Sequence, residues 1–188
     1  MLTREHQNIL LDIARASIAN GLSLGRPLRI NPDDYPAALQ LPRASFVTLQ
    51  IDERLRGCIG SLEAFRPLVE DVAENAFAAA FRDPRFPPLS EQEFSRLDYH
   101  ISILSPSEPV EFKSENDLLN KIRPGIDGLV LEEGGRRGTF LPSVWESLPN
   151  PRQFLAQLKV KAGLPADYWS DSIKVARYTV EDVKSDDV

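Results

Sequence analysis

The sequence predicts an α+β fold, in which a mainly antiparallel sheet carries helices packed on it. Apolar residues recur at helical spacing in several segments, whereas other short segments alternate between apolar and polar residues. Neighbouring alternating segments are joined by short turns, which is typical of antiparallel strands. The order of strands followed by a helix also recurs loosely, so we expect two loosely similar β/α halves.

The first half of the chain predicts two long helices and two paired strands. The first helix covers residues 3–20, and Gly21 is positioned to end it. Residues 45–51 alternate as a strand, and a turn leads to a second, glycine-interrupted strand at 54–61. A helix over 67–83 follows, and it ends there because the next residue is proline, which excludes its predecessor from the α conformation.

The second half predicts shorter helices between strands. Its strands are expected at 99–104, 126–132, 139–141 and 173–180. Ser90 and Glu93 form a capping-box pair that starts one helix, and Ser114 caps the next. A short helix is expected at 143–148. The cap pair Asn150 and Pro151 starts the last helix, which ends at Gly163.

Charge and composition argue against several classes of protein. The 22 basic and 28 acidic residues give a net charge of −6, which disfavours phosphate-led binding to nucleic acid. The one cysteine cannot form an intrachain disulfide, which fits a reducing, cytoplasmic location. The N-terminus has no secretory signal pattern, and no apolar stretch approaches the ~20 residues that span a bilayer, so no membrane association is expected.

The length suits a single domain. A chain of 188 residues can bury a sizeable core without a disulfide or metal to hold it together. We therefore expect one domain over 1–188, in which parts of 21–44 and 141–170 form a smaller lobe.

The run Leu55–Gly60 is the first candidate site. Arg56 offers a planar donor fork to a carboxylate or phosphate, and Gly57 and Gly60 would let a ligand or another chain approach the backbone. Cys58 would act as a nucleophile or redox thiol if a cation lowered its pKa. The alternative is a buried structural cysteine, since free cysteine is among the most buried residue types. A regular strand would place Arg56, Cys58 and Gly60 on one face, and a bulge at Gly57 would break that alternation.

The loop that begins at Asp83 is the second candidate. Its proline fixes the backbone between an acid and a base, and that geometry would hold Arg85 toward a ligand, which makes Asp83 and Arg85 candidate ligand-binding residues. The alternative is a corner that ends a helix, with an Asp83–Arg85 contact and Phe86 in the core.

His100 is the candidate catalytic partner of Cys58, because a thiol is activated by a histidine within hydrogen-bond reach. Lone histidines are often structural or exposed, so this role competes with a bland one. Two histidines and one cysteine far apart in the sequence do not make a zinc site, and no metal is predicted. The glycine-rich run at 134–138 predicts a hairpin turn, since it lacks the context of a phosphate loop.

Five segments in order resemble the AMMECR domain family, whose prokaryotic members are also called AmmeMemoRadiSam system protein A. They cover nearly the whole chain and are 55–60, 83–88, 125–129, 139–145 and 161–164. The resemblance implies an α+β fold with two β/α halves and a curved, partly barrel-like sheet. It also implies association with a Memo-type protein and a radical SAM enzyme, and it marks Arg56, Gly57, Cys58 and Gly60 as the proposed functional site. No catalytic role and no cofactor come with it.

Three functions are consistent with these features. The first is an enzyme or enzyme component that uses Leu55–Gly60 to bind a small anionic or peptidyl substrate. The second is a non-catalytic interaction module that docks the Memo-type and radical SAM partners. The third, a regulator that binds nucleic acid through its arginines, is disfavoured by the acidic charge balance.

Overall fold

The computed structural model describes residues 1–185, which form two compact units. The first unit contains Met1–Leu104 and the chain from Glu181 onward, and the second contains Ser105–Val180. The single domain and its smaller lobe stay predictions. Of the two segments expected in that lobe, 21–44 lies in the first unit and 141–170 in the second.

Six α-helices and eight strands follow one another along residues 1–185. The helices are α1 (Arg4–Leu24), α2 (Ala37–Gln40), α3 (Leu68–Phe81), α4 (Glu91–Phe94), α5 (Glu115–Lys121) and α6 (Pro151–Lys161), with 3-10 turns at Pro32–Asp34 and Pro142–Glu146. The strands are β1 (Ser45–Ile51), β2 (Arg54–Gly60), β3 (Asp98–Leu104), β4 (Glu108–Pro109), β5 (Gly128–Glu133), β6 (Arg136–Phe140), β7 (Lys174–Tyr178) and β8 (Val180–Lys184). Within this part of the chain, every helix is too short or too polar to cross a lipid bilayer.

The strands form two four-stranded sheets, so the predicted α+β class with mainly antiparallel pairing is confirmed. The first sheet has the order β2-β1-β3-β8 and the second has the order β4-β7-β5-β6. The pairs of β1 with β2 and β3, and of β7 with β4 and β5, are antiparallel. The single strand predicted at 173–180 covers parts of two strands instead. Residues 174–178 form β7 of the second sheet, and β8 of the first sheet begins at Val180.

Helix α1 continues past the glycine that was expected to end it. The Thr3 hydroxyl accepts from the His6 N–H at the start, and Gly25, with a left-handed φ of 67°, ends the helix by donating to the Gly21 carbonyl. Gly21 lies inside the helix, where a larger residue would not fit. A Cβ there would stand 2.3 Å from the Phe81 ring. Its glycine therefore serves the close packing of α1 on α3.

Helices α1 and α3 cover one face of the first sheet. Their buried apolar residues form one cluster with those of β1 and β3. Asp71 on α3 is 1% exposed, and its carboxylate accepts hydrogen bonds from the buried polar residues Ser45 and Asn75. The opposite face of the sheet carries alternate residues such as Thr48 and His100, which are only partly buried.

The second unit has its own core, built from α5, α6 and the apolar face of the second sheet. Trp145 stacks on Phe154 with ring centroids 3.7 Å apart, and its Nε1–H donates to the Asp127 carbonyl over 2.7 Å. The start signals predicted for the helices are confirmed, since Ser114 and Asn150 accept from backbone N–H groups of α5 and α6.

Candidate functional site

The run Leu55–Gly60 forms most of β2, which is an edge strand of the first sheet. Gly57 pairs with Leu49 and Leu55 with Gln50, so Arg56 is an extra residue and forms a β-bulge. Arg56 and Gly57 are consequently both buried, and the regular alternation across Arg56, Cys58 and Gly60 is broken. The bulge re-aims Arg56, and it could not be located from spacing alone.

Arg56 is held by the chain itself. Its Nε donates to Glu93 Oε1 over 2.7 Å, and its Nη2 donates to Glu93 Oε2 and to the Pro87 carbonyl. Only 8% of Arg56 is exposed, and its Nη1 is buried without a hydrogen-bond partner among residues 1–185. The guanidinium lowers the pKa of Glu93 to about 2, against the opposing effect of burial. Arg56 therefore fastens α4 and the preceding loop to the bulge of β2.

Glu93 was expected only as part of a capping box, and that box is confirmed. Its carboxylate accepts from the Ser90 N–H and hydroxyl, while the Ser90 hydroxyl accepts from the Glu93 N–H. The same carboxylate also pairs with Arg56, 37 residues earlier. The capping spacing is a local signal, whereas the ion pair has no signal in the sequence.

The two glycines of the run make close contacts with the chain itself. A Cβ on Gly57 would lie 2.1 Å from the Ala79 carbonyl oxygen of α3. A Cβ on Gly60 would lie 2.4 Å from the Ser45 carbonyl oxygen and from the Phe46 ring. Within the described chain, the approach that these glycines permit is therefore made by α3 and β1. Their part in binding a ligand stays a prediction.

Asp83 and Arg85 grip the outer edge of β2 at Cys58. Asp83 Oδ2 accepts from the Cys58 N–H over 2.9 Å, and Arg85 Nη2 lies 3.4 Å from the Cys58 carbonyl oxygen. The two side chains also pair with each other, because Arg85 Nη2 and Nε donate to the Asp83 carboxylate over 2.7 and 3.0 Å. Both outward backbone groups of Cys58, which an edge strand would otherwise leave unpaired, thus have partners.

The electrostatics of this pair favour ionised Asp83. Arg85 holds the pKa of the Asp83 carboxyl well below its usual range, although Asp83 is only 4% exposed and burial acts in the opposite direction. The Asp83–Arg85 contact was predicted by the alternative interpretation, in which this loop is only a corner that ends a helix. Phe86, which that interpretation placed in the core, is only partly buried.

Cys58 lies on the face of the first sheet opposite α1 and α3, which we call the open face. Its Sγ is 3.2 Å from the Thr48 hydroxyl, and the thiol side chain is partly exposed. Thr48 pairs with Cys58 on one side and with His100 on the other, so the three residues form a row across β2, β1 and β3. Two strand spacings separate the Cα atoms of Cys58 and His100 by roughly 10 Å. The structure therefore places this pair on one face with Thr48 between them.

His100 has a carboxylate partner of its own. Its Nε2 lies 2.9 Å from Asp182 Oδ1, which also accepts from the Ser102 hydroxyl over 2.8 Å. The contact with His100 lowers the pKa of Asp182, so the carboxylate accepts and the ring nitrogen donates. Asp182 was missed in the sequence because it reaches this face only through the pairing of β8 beside β3.

The row offers a thiol, a hydroxyl and an imidazole–carboxylate pair, and an exposed guanidinium lies at its end. Arg85 supplies that guanidinium, and 54% of its side chain is exposed. Across residues 1–185, no three His, Cys, Asp or Glu side chains are grouped so that they could hold a metal ion. The chemistry available here is the binding of anions and hydrogen-bonding groups next to a thiol.

Comparison with known proteins identifies the family. The AMMECR1 family model matches residues 11–183. A protein of Methanothermobacter thermautotrophicus is 39% identical over 186 residues, with 96% of this chain and 94% of the relative covered, and a Methanocaldococcus jannaschii protein is 38% identical, with 96% and 90% covered. The crystal structure of an uncharacterized Pyrococcus horikoshii protein superposes with a TM-score of 0.85 at 36% identity, covering 96% of this chain and 92% of that one. The chain therefore belongs to the AMMECR1 family.

Proposed function

We propose that this protein binds a small anionic or peptidyl ligand beside Cys58, with the Arg85 guanidinium holding the anionic group. The proposal is carried by one observation: the exposed Arg85 guanidinium contacts the backbone carbonyl of Cys58, whose side chain is partly exposed. Such a site suits an enzyme, or a component of one, that holds its substrate against the thiol.

Arg85 replaces Arg56 as the anion-binding residue in this proposal. Glu93 occupies Nε and Nη2 of Arg56, and Nη1, which has no partner among the described residues, is itself buried, so an external carboxylate or phosphate has no open path to this guanidinium. Arg85 uses Nε and Nη2 in its contacts with Asp83 and Cys58, which leaves the Nη1 hydrogens for a ligand. The Asp83 carboxylate fixes the position of the fork in advance.

The geometry favours ligand binding over nucleophilic catalysis by a Cys–His pair. The hydrogen-bond partner of the Cys58 thiol among the described residues is the Thr48 hydroxyl, and His100 lies on the far side of Thr48. A nucleophilic thiol needs a base within hydrogen-bond reach. His100 would instead contact a ligand that extends across β1.

The single cysteine allows a direct test by alkylation. Iodoacetate and iodoacetamide are nearly the same size, but only iodoacetate carries a negative charge. We expect the iodoacetate-to-iodoacetamide rate ratio at Cys58 to exceed that of glutathione by roughly two- to fivefold, the range of an exposed charge pair. Arg85→Gln should lower the ratio to that of glutathione or below, whereas Arg85→Lys should keep part of the preference. Mass spectrometry measures both rates.

The matched control is Arg96→Gln, which removes another exposed arginine whose partner is Asp52. This variant should leave the rate ratio unchanged. A wild-type ratio equal to that of glutathione would refute the proposal, and so would an equal loss in the Arg85→Gln and Arg96→Gln variants.

A second candidate function is docking of a protein partner, for which the family resemblance suggests Memo-type and radical SAM proteins. Leu55, the first residue of the run, favours it because this apolar residue is 42% exposed. A partner would use side chains here, since Asp83 and Arg85 already occupy the outward backbone groups of Cys58.

This docking predicts that Leu55→Asp lowers recovery of a purified Memo-type or radical SAM partner in a pull-down. The control is Leu24→Asp, which changes an equally apolar residue that is 60% exposed at the end of α1. Equal recovery with the wild type and with both variants would exclude docking through this edge.

A further inference from the structure

A second cleft lies in the first unit, away from Cys58, between the segment that follows α1 and the first turns of α3. Its volume is about 490 Å³, which is within the range of small-molecule sites. Arg26 and Arg29 line one side of the cleft, from the segment after α1. Glu70 and Glu74 on α3 line the other side, together with Arg66, which lies just before α3. Neither the ligand site proposed at Cys58 nor the docking proposed at Leu55 uses these residues.

Arg66 is anchored in this cleft by a fully buried carboxylate. Its Nε donates to Asp71 Oδ1 over 2.8 Å, and Asp71 is 1% exposed. Asp71 Oδ2 is itself fixed by three donors, the Ser45 N–H at 2.9 Å, the Ser45 hydroxyl at 2.6 Å and the Asn75 amide at 2.9 Å. Because Arg66 is held through Nε, both of its Nη groups remain for a ligand. Such a prepositioned fork suits a carboxylate.

The other four charged side chains that line the cleft are two arginines and two glutamates. Among residues 1–185, neither arginine (Arg26, Arg29) and neither glutamate (Glu70, Glu74) forms an ion pair within 4.0 Å. Asp71 neutralises Arg66, so the remaining charges balance as two positive and two negative groups. A simple anion would be repelled by the glutamates and a simple cation by the arginines.

We infer that this cleft binds a small zwitterion, a ligand that carries a carboxylate and an ammonium group. The Nη groups of Arg66, supported by Arg26 and Arg29, receive the carboxylate. Glu70 and Glu74, one turn apart on α3, receive the ammonium group. The site is independent of the ligand proposed at Cys58, because the two share no residue.

Three matched probes test the inference, namely 4-aminobutyrate, butyrate without the ammonium group and butylammonium without the carboxylate. Titrations are followed by backbone amide shifts in NMR spectra, and ω-amino acids from glycine to 6-aminohexanoate vary the spacing of the two charges. We expect saturable binding of at least one ω-amino acid, with shifts at residues 26–30 and 66–74. Removing either charge from the ligand should weaken binding by about tenfold or more, as expected for a lost charged hydrogen bond.

The variants Arg66→Gln and Glu74→Gln should each weaken binding of that ω-amino acid by about tenfold. Arg96→Gln, which lies outside the cleft, should not change it. If Arg66→Gln does not fold, Glu74→Gln carries the test, because Glu74 forms no ion pair within the described chain. The inference is overturned if no ω-amino acid binds saturably, if butyrate binds as tightly, if the shifts lie elsewhere, or if Glu74→Gln binds like the wild type.

Discussion

The substitution Gly57→Ala should destabilise the protein by about 2 to 4 kcal/mol, the upper range for overpacking a core. The added Cβ would stand 2.1 Å from the carbonyl oxygen of Ala79 and 3.0 Å from its carbonyl carbon. Both atoms belong to the backbone of α3, so no side-chain rotation relieves the clash. The strand and the helix must separate, and the bulge next to Gly57 would shift with them. Urea unfolding followed by circular dichroism measures the change.

The neighbouring substitution Cys58→Ala is the matched control. It alters a partly exposed side chain on the open face of the sheet, so the expected change in the free energy of unfolding is below about 1 kcal/mol. The urea m-value should stay constant in both variants. A Gly57→Ala variant as stable as Cys58→Ala would show that β2 does not press against α3 as described.

Asp83→Asn should cost about 2 to 4 kcal/mol at neutral pH, as is typical when a buried charged partner is removed. The carboxylate accepts from the Cys58 N–H and from the N–H and guanidinium of Arg85. An asparagine has one acceptor oxygen in place of two and no charge, so it cannot satisfy all of these donors. Asp33→Asn, at an exposed position, should leave the stability nearly unchanged.

The same substitution changes how stability depends on pH. The pKa of Asp83 is about 3.8 in the unfolded chain and lower in the folded protein. Its ionised carboxylate therefore stabilises the fold in full above about pH 4, and this stabilisation is lost as the pH falls through the folded-state pKa. The difference in unfolding free energy between the wild type and Asp83→Asn should therefore shrink steadily as the pH falls below about 4. A difference that stays constant from pH 7 to pH 2 would contradict an ionised, paired Asp83.

Elements with local signals were predicted well from the sequence. The strand at 45–51 has the predicted bounds, and α3 lies within the predicted segment, because periodicity and flanking prolines act over a few residues. The capping box at Ser90 and the cap at Asn150 are equally local. The predicted end of α1 was wrong because Gly21 is a glycine for its close packing against α3, not for ending the helix. No local pattern in the sequence reveals that packing partner.

The candidate site depended on contacts that are distant in sequence. Asp83 and Arg85 were chosen as candidates from the sequence, and their contacts with the Cys58 backbone arise only when β2 becomes an edge strand. The bulge at Arg56 shifts the register by one residue, and register is set by pairing with β1. Asp182 acts on His100 from 82 residues away. Such partners follow from topology, and composition and spacing do not determine them.

The strand order has a consequence for synthesis on the ribosome. The first sheet is completed by β8, which lies beside β3 although residues 105–179 separate the two strands in the chain. At a translation rate of about 5 to 20 residues per second, β3 emerges roughly 4 to 15 s before its partner. Until then the backbone groups of β3 that face β8 lack their strand partner, and the nascent chain exposes a sheet edge. The strand Val180–Lys184 therefore decides when the sheet that begins at Ser45 is finished.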